Sequence, residues 1–267
     1  MEYSSEQLRL LTEVLPIVAV QLRAPLTELR SALPTGEAAA DPAAETLMRC
    51  YYQMMRTVTN LTEAPLLADS TPLEKQDTEM VEWLDSLCRQ AEAPLELCGI
   101  SLGMHTSLQA HVAAIHREYT QRVFWNLLSN AAKFTPAGGR IDISLALQGR
   151  SLILTISDTG RGIDTHLQET VFDRFLHTGR MDPAPHGLGL GLPLSQSIIT
   201  RQGGRLLLSP RPGGGTVATV SLPAARLAKA ETPVRQMPFD YSGGFQSVLM
   251  ELSDRLPREA FAPKYLD

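Results

Sequence analysis

Cysteine is scarce in this 267-residue sequence, and its placement excludes two common kinds of stabilising site. The three cysteines, Cys50, Cys88 and Cys98, are odd in number and form no Cys-x-x-Cys pair. Neither a disulfide framework nor a zinc ribbon is therefore predicted. The six histidines show no His-Glu-x-x-His pattern, so we expect no zinc site of that kind either. This cysteine usage fits a reducing cytosol, and we expect a cytoplasmic protein.

Long apolar runs and an excess of positive charge are also missing. No apolar stretch reaches the roughly 20 residues that cross a bilayer, and the polar N-terminal residues do not resemble a signal peptide. The net charge of −5 offers no general attraction for nucleic acid. We therefore expect no membrane span and no nucleic-acid partner. With 43 % hydrophobic residues, the chain has enough apolar side chains for a sizeable core.

Residues 1–68 are predicted to form an antiparallel helical hairpin. Apolar residues recur every three or four positions along 4–33 and again along 42–67. Pro16 and Pro25 interrupt the first stripe and should bend that helix. Because a lone hairpin buries little surface, we expect it to dimerise into a four-helix bundle. Packing of the hairpin against the rest of its own chain is the alternative.

Residues 76–225 carry mixed helix and strand patterns, and they are predicted to form a second domain after a polar linker. Helices are predicted at 81–92, 116–133 and 193–202, and strands at 97–103, 108–114, 141–147, 152–157, 204–209 and 216–222. Helices grouped with an antiparallel-looking sheet indicate an α+β fold with two layers.

Residues 226–267 differ in composition from the rest of the chain. They read as a linker followed by a short amphipathic helix, whose apolar residues from Phe245 to Leu256 repeat at helical spacing. We expect this helix to dock on the body of its own chain. A role as a partner-binding segment is the alternative.

The predicted helix at 116–133 carries polar residues with the chemistry of a metal-nucleotide site. Asn126 and Asn130 lie four residues apart, and Lys133 follows three later, so the three side chains project from roughly one face. Amide oxygens suit a hard cation such as Mg²⁺, and a nearby lysine suits the phosphates that accompany it. Exposed amides or helix caps are the alternative reading of the two asparagines.

The segment DTGRGID at 158–164 follows a predicted strand directly. The Asp158 carboxylate can accept a hydrogen bond from an exocyclic amine such as that of adenine. Gly160 and Gly162 permit unusual backbone conformations and the close approach of a ligand. An ordinary Asp-Gly turn is the alternative.

A second glycine segment, HGLGLGL at 186–192, precedes a predicted helix. Glycines at alternate positions leave backbone amides free to face phosphate, and the helix N-terminus adds positive potential. The spacing does not match a dinucleotide fingerprint. Leu192 stands where that motif continues, and a loop rather than a strand comes before the glycines.

Taken in order, these segments resemble the nucleotide-binding boxes of sensor histidine kinases. NLLSNAAKF resembles the N box, DTGRGI the G1 box, VFDRF at 171–175 the F box and GLGLGL the G2 box, and GGGTVATVSLP resembles the final strand. The resemblance covers about residues 76–225. It implies a two-layer α/β sandwich of the Bergerat type that binds ATP with Mg²⁺, with a mobile lid at roughly 175–190.

The resemblance also implies roles for individual residues. Asn130 would ligate Mg²⁺ together with Asn126, Lys133 would touch phosphate, and Asp158 would read adenine. Phe172 and Phe175 would anchor the lid, and His177 would partly replace an arginine that supports the γ-phosphate. The implied ATP-binding set is Asn126, Asn130, Lys133, Asp158, Gly160, Gly162, Phe175, His177, Gly187, Leu188, Gly189, Leu190, Gly191 and Thr216.

The N-terminal hairpin is similar to the dimerisation and phosphoacceptor domain of the same family, but it departs from the pattern at the acceptor. The segment VQLRAPL at 20–26 aligns without gaps to His-Glu-Leu-Arg-x-Pro-Leu. Val20 replaces the histidine, and Gln21 replaces the acid beside it. Valine has no nucleophile, and an amide does not usefully accept a proton. Autophosphorylation is therefore not expected.

Three hypotheses follow for the function. The first is a degenerate histidine kinase, an ATP-binding homodimer that regulates a response regulator or sensor protein without phosphorylating itself. The second is an active kinase of two-component signalling that uses a non-standard acceptor. The third is a structural interaction protein with a vestigial ATP site. Relatives that hydrolyse ATP with water carry a glutamate where this chain has Asn126, so a self-contained ATPase is not expected.

Overall fold

The computed structural model describes residues 8–32, 41–163, 189–227 and 246–262. The α-helices are α1 (Leu15–Ala32), α2 (Pro42–Thr62), α3 (Met80–Leu97), α4 (Arg117–Phe134), α5 (Gly191–Arg201) and α6 (Ser247–Leu252). The strands are β1 (Gln76–Glu79), β2 (Ser101–Thr106), β3 (Val112–Ile115), β4 (Arg140–Gln148), β5 (Ser151–Asp158), β6 (Arg205–Pro210) and β7 (Thr216–Pro223). A π-helical turn at Leu10–Val14 precedes α1, and 3-10 turns lie at Ala64–Leu67 and Arg258–Phe261.

The helices and strands between residues 76 and 227 form the sheet region, which confirms the α+β class. Five strands pair in the order β2-β4-β5-β7-β6, and β1 pairs with β3 in a separate two-stranded sheet. The β2–β4 pair is parallel, and the other pairs are antiparallel. Every second residue of β5 is buried, as expected for a strand with one face towards a core. This arrangement is consistent with a two-layer sandwich.

The predicted ends of α3 and β2 were wrong. The prediction ended the helix at 92 and began a strand at 97, but α3 continues through Pro94 to Leu97 and β2 begins at Ser101. Leu95 is fully buried, so the apolar face of the helix extends past the predicted end. Burial of that face outweighs the backbone hydrogen bond that Pro94 removes.

The helices α1 and α2 pack against each other and are called the helical pair below. The predicted irregularity at Pro16 takes the form of the π-helical turn, in which the Leu15 N–H donates to Leu10 O. Pro16 has no N–H, and its ring would clash with the carbonyl four residues earlier, so a wider turn relieves the clash. Residues 33–40, which connect the two helices, lie outside the described residues.

The apolar stripe of α1 is only partly covered. Leu11 and Leu26 are buried, but Leu8, Val18, Leu22 and Leu29, which the spacing places on the same stripe, are 38 % to 43 % exposed. The chain's own α2 covers only one side of α1. The predicted cover for the rest of the stripe, a second copy of the hairpin, stays a prediction.

Residues 246–262, called the strap below, lie between α2 and α4. Its buried apolar side chains are Val248, Leu249, Met250, Leu252, Leu256, Ala260 and Phe261. The Phe261 ring lies 5.4 Å from the Tyr52 ring of α2, measured between centroids. The tail helix thus docks on its own chain in the structure. The 3-10 turn that follows α2 also contacts the sheet region directly, because Ser197 of α5 donates to the Leu66 carbonyl at 2.5 Å.

Among the described residues, the helices are all too short or too polar to serve as a membrane crossing.

Candidate functional site

Helix α4 positions both asparagines. The helix begins after His116, whose ring nitrogen accepts from the Tyr119 N–H at 3.4 Å, and Glu118 lies in its first turn. Both features suit the exposed N–H groups and the positive end of a helix. Along the helix, Asn126 is only 1 % exposed, and Asn130, one turn later, is half-buried.

Asn126 contains a buried oxygen without a partner. Its Nδ2 lies 3.5 Å from both the Gly191 carbonyl and the Ser195 Oγ, which is the outer limit for a hydrogen bond. Its Oδ1 has no hydrogen-bond partner among the described residues. Buried polar atoms are rarely left in this state without a reason. An oxygen-seeking cation such as Mg²⁺ fits this amide oxygen.

The start of α5 lies directly against Asn126. A Cβ added at Gly191 would come within 3.2 Å of Asn126 Oδ1, so glycine at this position lets the two helices approach. Leu190 is buried, and Gly189 has a φ of +71°, a conformation that favours glycine. The structure therefore brings the second glycine segment beside the first asparagine of α4.

Asp158 ends β5 and is 5 % exposed. Its Oδ1 accepts from the Gly160 N–H at 2.8 Å and from the Thr216 N–H at 3.3 Å. Burial raises the pKa of this carboxyl above its usual value, and the two backbone hydrogen bonds oppose that rise. Both described hydrogen bonds use Oδ1, which leaves Oδ2 as an acceptor for an amine such as that of adenine.

Gly215 is a site residue that sequence reasoning missed. It has a φ of +103°, and a Cβ at this position would lie 1.9 Å from the Asp158 carbonyl oxygen. No other residue type fits there without moving the backbone. The signal for it in the sequence is the run of glycines at 213–215, which by itself indicates only the approach to the final strand.

Lys133 and Gly160 line the same open cleft of about 540 Å³, together with Phe134, Arg161 and Arg255. The Lys133 ammonium lies 5.5 Å from the centroid of the Phe134 ring, and the Arg161 guanidinium lies 4.6 Å from it. Partial burial lowers the pKa of Lys133, and the nearby Asp254 carboxylate opposes that shift. Two cations therefore lie over one aromatic ring next to the Asp158 segment, and Arg255 lines the same cleft. This setting suits an anionic ligand.

Several predicted site residues lie outside the described residues. These are Phe172, Phe175, His177, Gly187 and Leu188, together with most of the proposed lid. Among the residues that are described, the structure brings together three groups. Asp158 lies with Gly160 and Thr216, Asn126 lies with Gly191, and Lys133 faces the cleft that Gly160 also lines.

The fold around the candidate site agrees with the comparison with known families. Residues 116–226 match the family model described as histidine kinase-, DNA gyrase B- and HSP90-like ATPase. The sensor histidine kinase RppB of Synechocystis sp. is 27 % identical over 217 residues, which cover 77 % of this chain and 47 % of that protein. Together these findings show that residues 116–226 match this ATPase family and that the chain is similar to sensor histidine kinases.

Two solved structures share the fold. Full-length ShkA in complex with AMPPNP has a TM-score of 0.62 at 21 % identity, over 81 % of this chain and 47 % of that one. Histidine kinase ThkA in complex with response regulator protein TrrA has a TM-score of 0.57 at 19 % identity, over 82 % of this chain and 64 % of that one. The chain spans between 13 % and 47 % of the length of the first curated relatives it matches.

Proposed function

We propose that this chain is a cytoplasmic, histidine-kinase-like signalling protein that binds Mg·ATP but does not phosphorylate itself. The observation that carries the proposal is the side chain at the family's acceptor position. Val20 is 67 % exposed on α1, and Gln21 beside it is also exposed. The position is accessible, but neither side chain offers a nucleophile or a general base.

The nucleotide site supports the first part of this proposal. Asp158 would hold the adenine amine, and Asn126 and Asn130 would hold the metal. Lys133 would hold phosphate at the cleft that it shares with Gly160. Bound Mg·ATP supplies a transferable γ-phosphoryl group whose charge the metal partly neutralises. The buried, unpartnered Oδ1 of Asn126 is the feature that a purely structural role explains least well.

The helical pair supports a homodimer. Its exposed apolar residues include Ile17 at 58 % on α1 and Leu47 at 51 % on α2. An apolar surface of this kind on a helix pair is typical of a protein-protein contact. A second copy of the helical pair would cover it in a four-helix bundle.

A response regulator or a sensor protein is the proposed partner. ThkA, which shares the fold, has been solved with a response regulator protein. In this chain, ATP would occupy the nucleotide site, and the partner would bind the ATP-bound dimer. No phosphoryl group would pass through Val20.

Incubation of the purified protein with γ-labelled ATP and Mg²⁺ tests the proposal, alone and with a candidate receiver protein. We expect equilibrium binding of ATP and no covalent label on the chain, either acid-labile or acid-stable. Covalent label of either kind on the parent chain would contradict the proposal and favour a kinase with a non-standard acceptor. Absence of ATP binding would instead favour a structural protein with a vestigial site.

The matched variant carries Val20→His with Gln21→Glu. Since the Leu-Arg-x-Pro-Leu frame around these positions is intact, we expect this double variant to gain acid-labile label that the parent lacks. Its control carries Gln21→Glu alone, which restores the base without the acceptor and should stay unlabelled.

A further inference from the structure

We propose that the strap is an intramolecular clamp that holds the helical pair in one fixed orientation on the sheet region. The inference rests on the proposed function, because it concerns how the same nucleotide site is coupled to the helical pair. With the strap in place, the helical pair and the sheet region would keep one relative orientation instead of rotating with respect to each other. The support comes from a buried ion cluster, a set of backbone contacts and an apolar interface.

The ion cluster is centred on Glu251 of the strap, which is fully buried. One of its carboxylate oxygens accepts from Arg122 of α4, which is 1 % exposed. The other lies 3.2 Å from Nε of Arg56 on α2, as an ion pair without hydrogen-bond alignment. One strap carboxylate therefore joins an arginine from the sheet region to an arginine from the helical pair.

Two further acids complete the cluster. Arg122 donates to Glu63, which directly follows α2, at 2.7 Å, and Arg56 donates to Asp254 of the strap at 2.7 Å. Burial raises the pKa of Glu63, and the Arg122 charge opposes that rise. Removing one member of such a cluster leaves an uncompensated buried charge, which is strongly unfavourable. The cluster therefore favours one arrangement of α2, the strap and α4 over all others.

Contacts with the strap backbone fix it along both neighbours. On the α2 side, Gln53 Nε2 donates to the Ser253 carbonyl at 3.2 Å. On the α4 side, Ser129 Oγ donates to the Glu251 carbonyl at 2.8 Å, and Arg255 Nε donates to the Ala132 carbonyl at 3.1 Å. If α2 and α4 moved apart, the strap would therefore lose its hydrogen bonds to one of the two helices.

The strap also reaches the candidate nucleotide site. Ser129, which holds the strap, lies between the two asparagines of α4 in the sequence, and Arg255 forms part of the wall of the Lys133 cleft. Meanwhile the exposed apolar residues of the helical pair, such as Ile17 and Leu47, stay uncovered by the strap. The clamp therefore orients the helical pair without occupying the surface proposed for the second copy.

The distance between the helical pair and the sheet region tests the clamp. Cys50 on α2 is exposed, whereas Cys88 and Cys98 are buried, and burial raises the pKa of Cys88 to about 12. A spin label on Cys50 and a second on Leu207→Cys, at an exposed position of β6, report this distance by pulsed electron resonance. The doubly labelled protein is mixed with an excess of unlabelled protein, so that a dimer holds at most one labelled chain. We expect one narrow distance distribution, and a broad or double distribution in this mixture would overturn the proposal.

The clamp variant combines Glu251→Gln with Asp254→Asn, which removes both strap charges that face Arg56. We expect the width of the distance distribution to increase at least twofold. The matched control is Glu259→Gln, on the same strap, whose partner Arg258 is exposed. It should leave the width unchanged. A distribution in the clamp variant as narrow as in the parent would overturn the proposal.

A second measurement applies even when the clamp variant fails to fold. A protease site inserted between Leu227 and Gln246 releases the strap from the chain without changing any contact residue. After cleavage, the strap should co-elute with the body of the parent and the distribution should stay narrow. Separation of the strap with no broadening would overturn the proposal. The distances are measured without nucleotide, so loss of ATP binding would contradict the proposed function and leave this result untouched.

Discussion

The candidate nucleotide site and the exposed face of the helical pair differ in which groups are buried and which are exposed. In the site, polar groups are buried, as shown by Asp158 at 5 % exposure and by the unpartnered Oδ1 of Asn126. On the helical pair, apolar groups are exposed, as shown by Ile17 at 58 % and Val20 at 67 %. Each arrangement is unfavourable for the isolated chain.

This difference indicates two kinds of partner. Buried polar atoms can bind a small polar ligand, whereas an exposed apolar helix face can be buried by another protein surface. Under the proposed function, the family's acceptor position lies on the second kind of surface, where Val20 offers no polar chemistry. We therefore propose that the chain binds a nucleotide and contacts a protein, but has no group at this position to receive a phosphoryl.

The largest expected effect is on the nucleotide side of this comparison. Asp158→Asn places an amide donor where the adenine amine would also donate. The variant should lose about 2 kcal/mol of binding free energy, or roughly 30-fold in ATP affinity. Calorimetric titration of Mg·ATP measures the change. The control is Asp142→Asn on β4, which removes an exposed charge paired with Arg140 and should leave affinity unchanged. Equal affinities for all three proteins would remove Asp158 from the site.

A smaller effect is expected on the helical pair. Ile17→Lys places a charge in the exposed apolar face and should weaken self-association about tenfold, as expected for losing most of one buried side chain. Sedimentation velocity over a concentration series measures it. Leu207→Lys is the matched control, since Leu207 is 62 % exposed on β6 of the sheet region. Should both substitutions weaken the dimer equally, the contact would not be specific to the helical pair.

The smallest effect is a pH dependence with opposite signs for two aspartates. The pKa of Asp158 is raised by burial, so between its usual value of 3.8 and its value in the fold the unfolded chain holds fewer protons. Rising pH across that window lowers the free energy of unfolding of the parent. The free energy of unfolding of Asp158→Asn, relative to that of the parent, should therefore increase as pH rises across this window.

Asp142 supplies the opposite case. Hydrogen bonds from Arg140 and His105 lower its pKa, so its contribution to stability is present at neutral pH and is lost as pH falls below 3.8. Relative to the parent, Asp142→Asn should become less stable as pH rises. Urea unfolding of the parent and both variants between pH 3 and pH 7 measures the two trends. Trends of the same sign would show that burial does not raise the pKa of Asp158.

Most of the sheet region was predictable because its signals are local. The alternation along 152–157 and the apolar spacing along 116–133 predicted β5 and α4 to within a residue or two at each end. The end of α3 was missed because burial of Leu95 outweighed a proline. The stripe along 4–33 predicted an apolar face for α1, but a periodic stripe does not show which part of it the same chain covers.

The sequence by itself determined the resemblance to sensor histidine kinases, the α+β class and a set of residues with the chemistry proposed for ATP. It also placed Val20 and Gln21 at the positions where that family has a histidine and an acid. Each of these follows from residue types at fixed spacing.

Only the tertiary structure decided how the two parts of the chain are joined. Glu63, Arg122 and Glu251 are far apart in the sequence, and no periodicity links them. They meet because the strap folds back between α2 and α4. Since little water reaches them there, the interactions between their charges are strong. Long-range pairing of this kind is set by packing, which local sequence patterns do not encode.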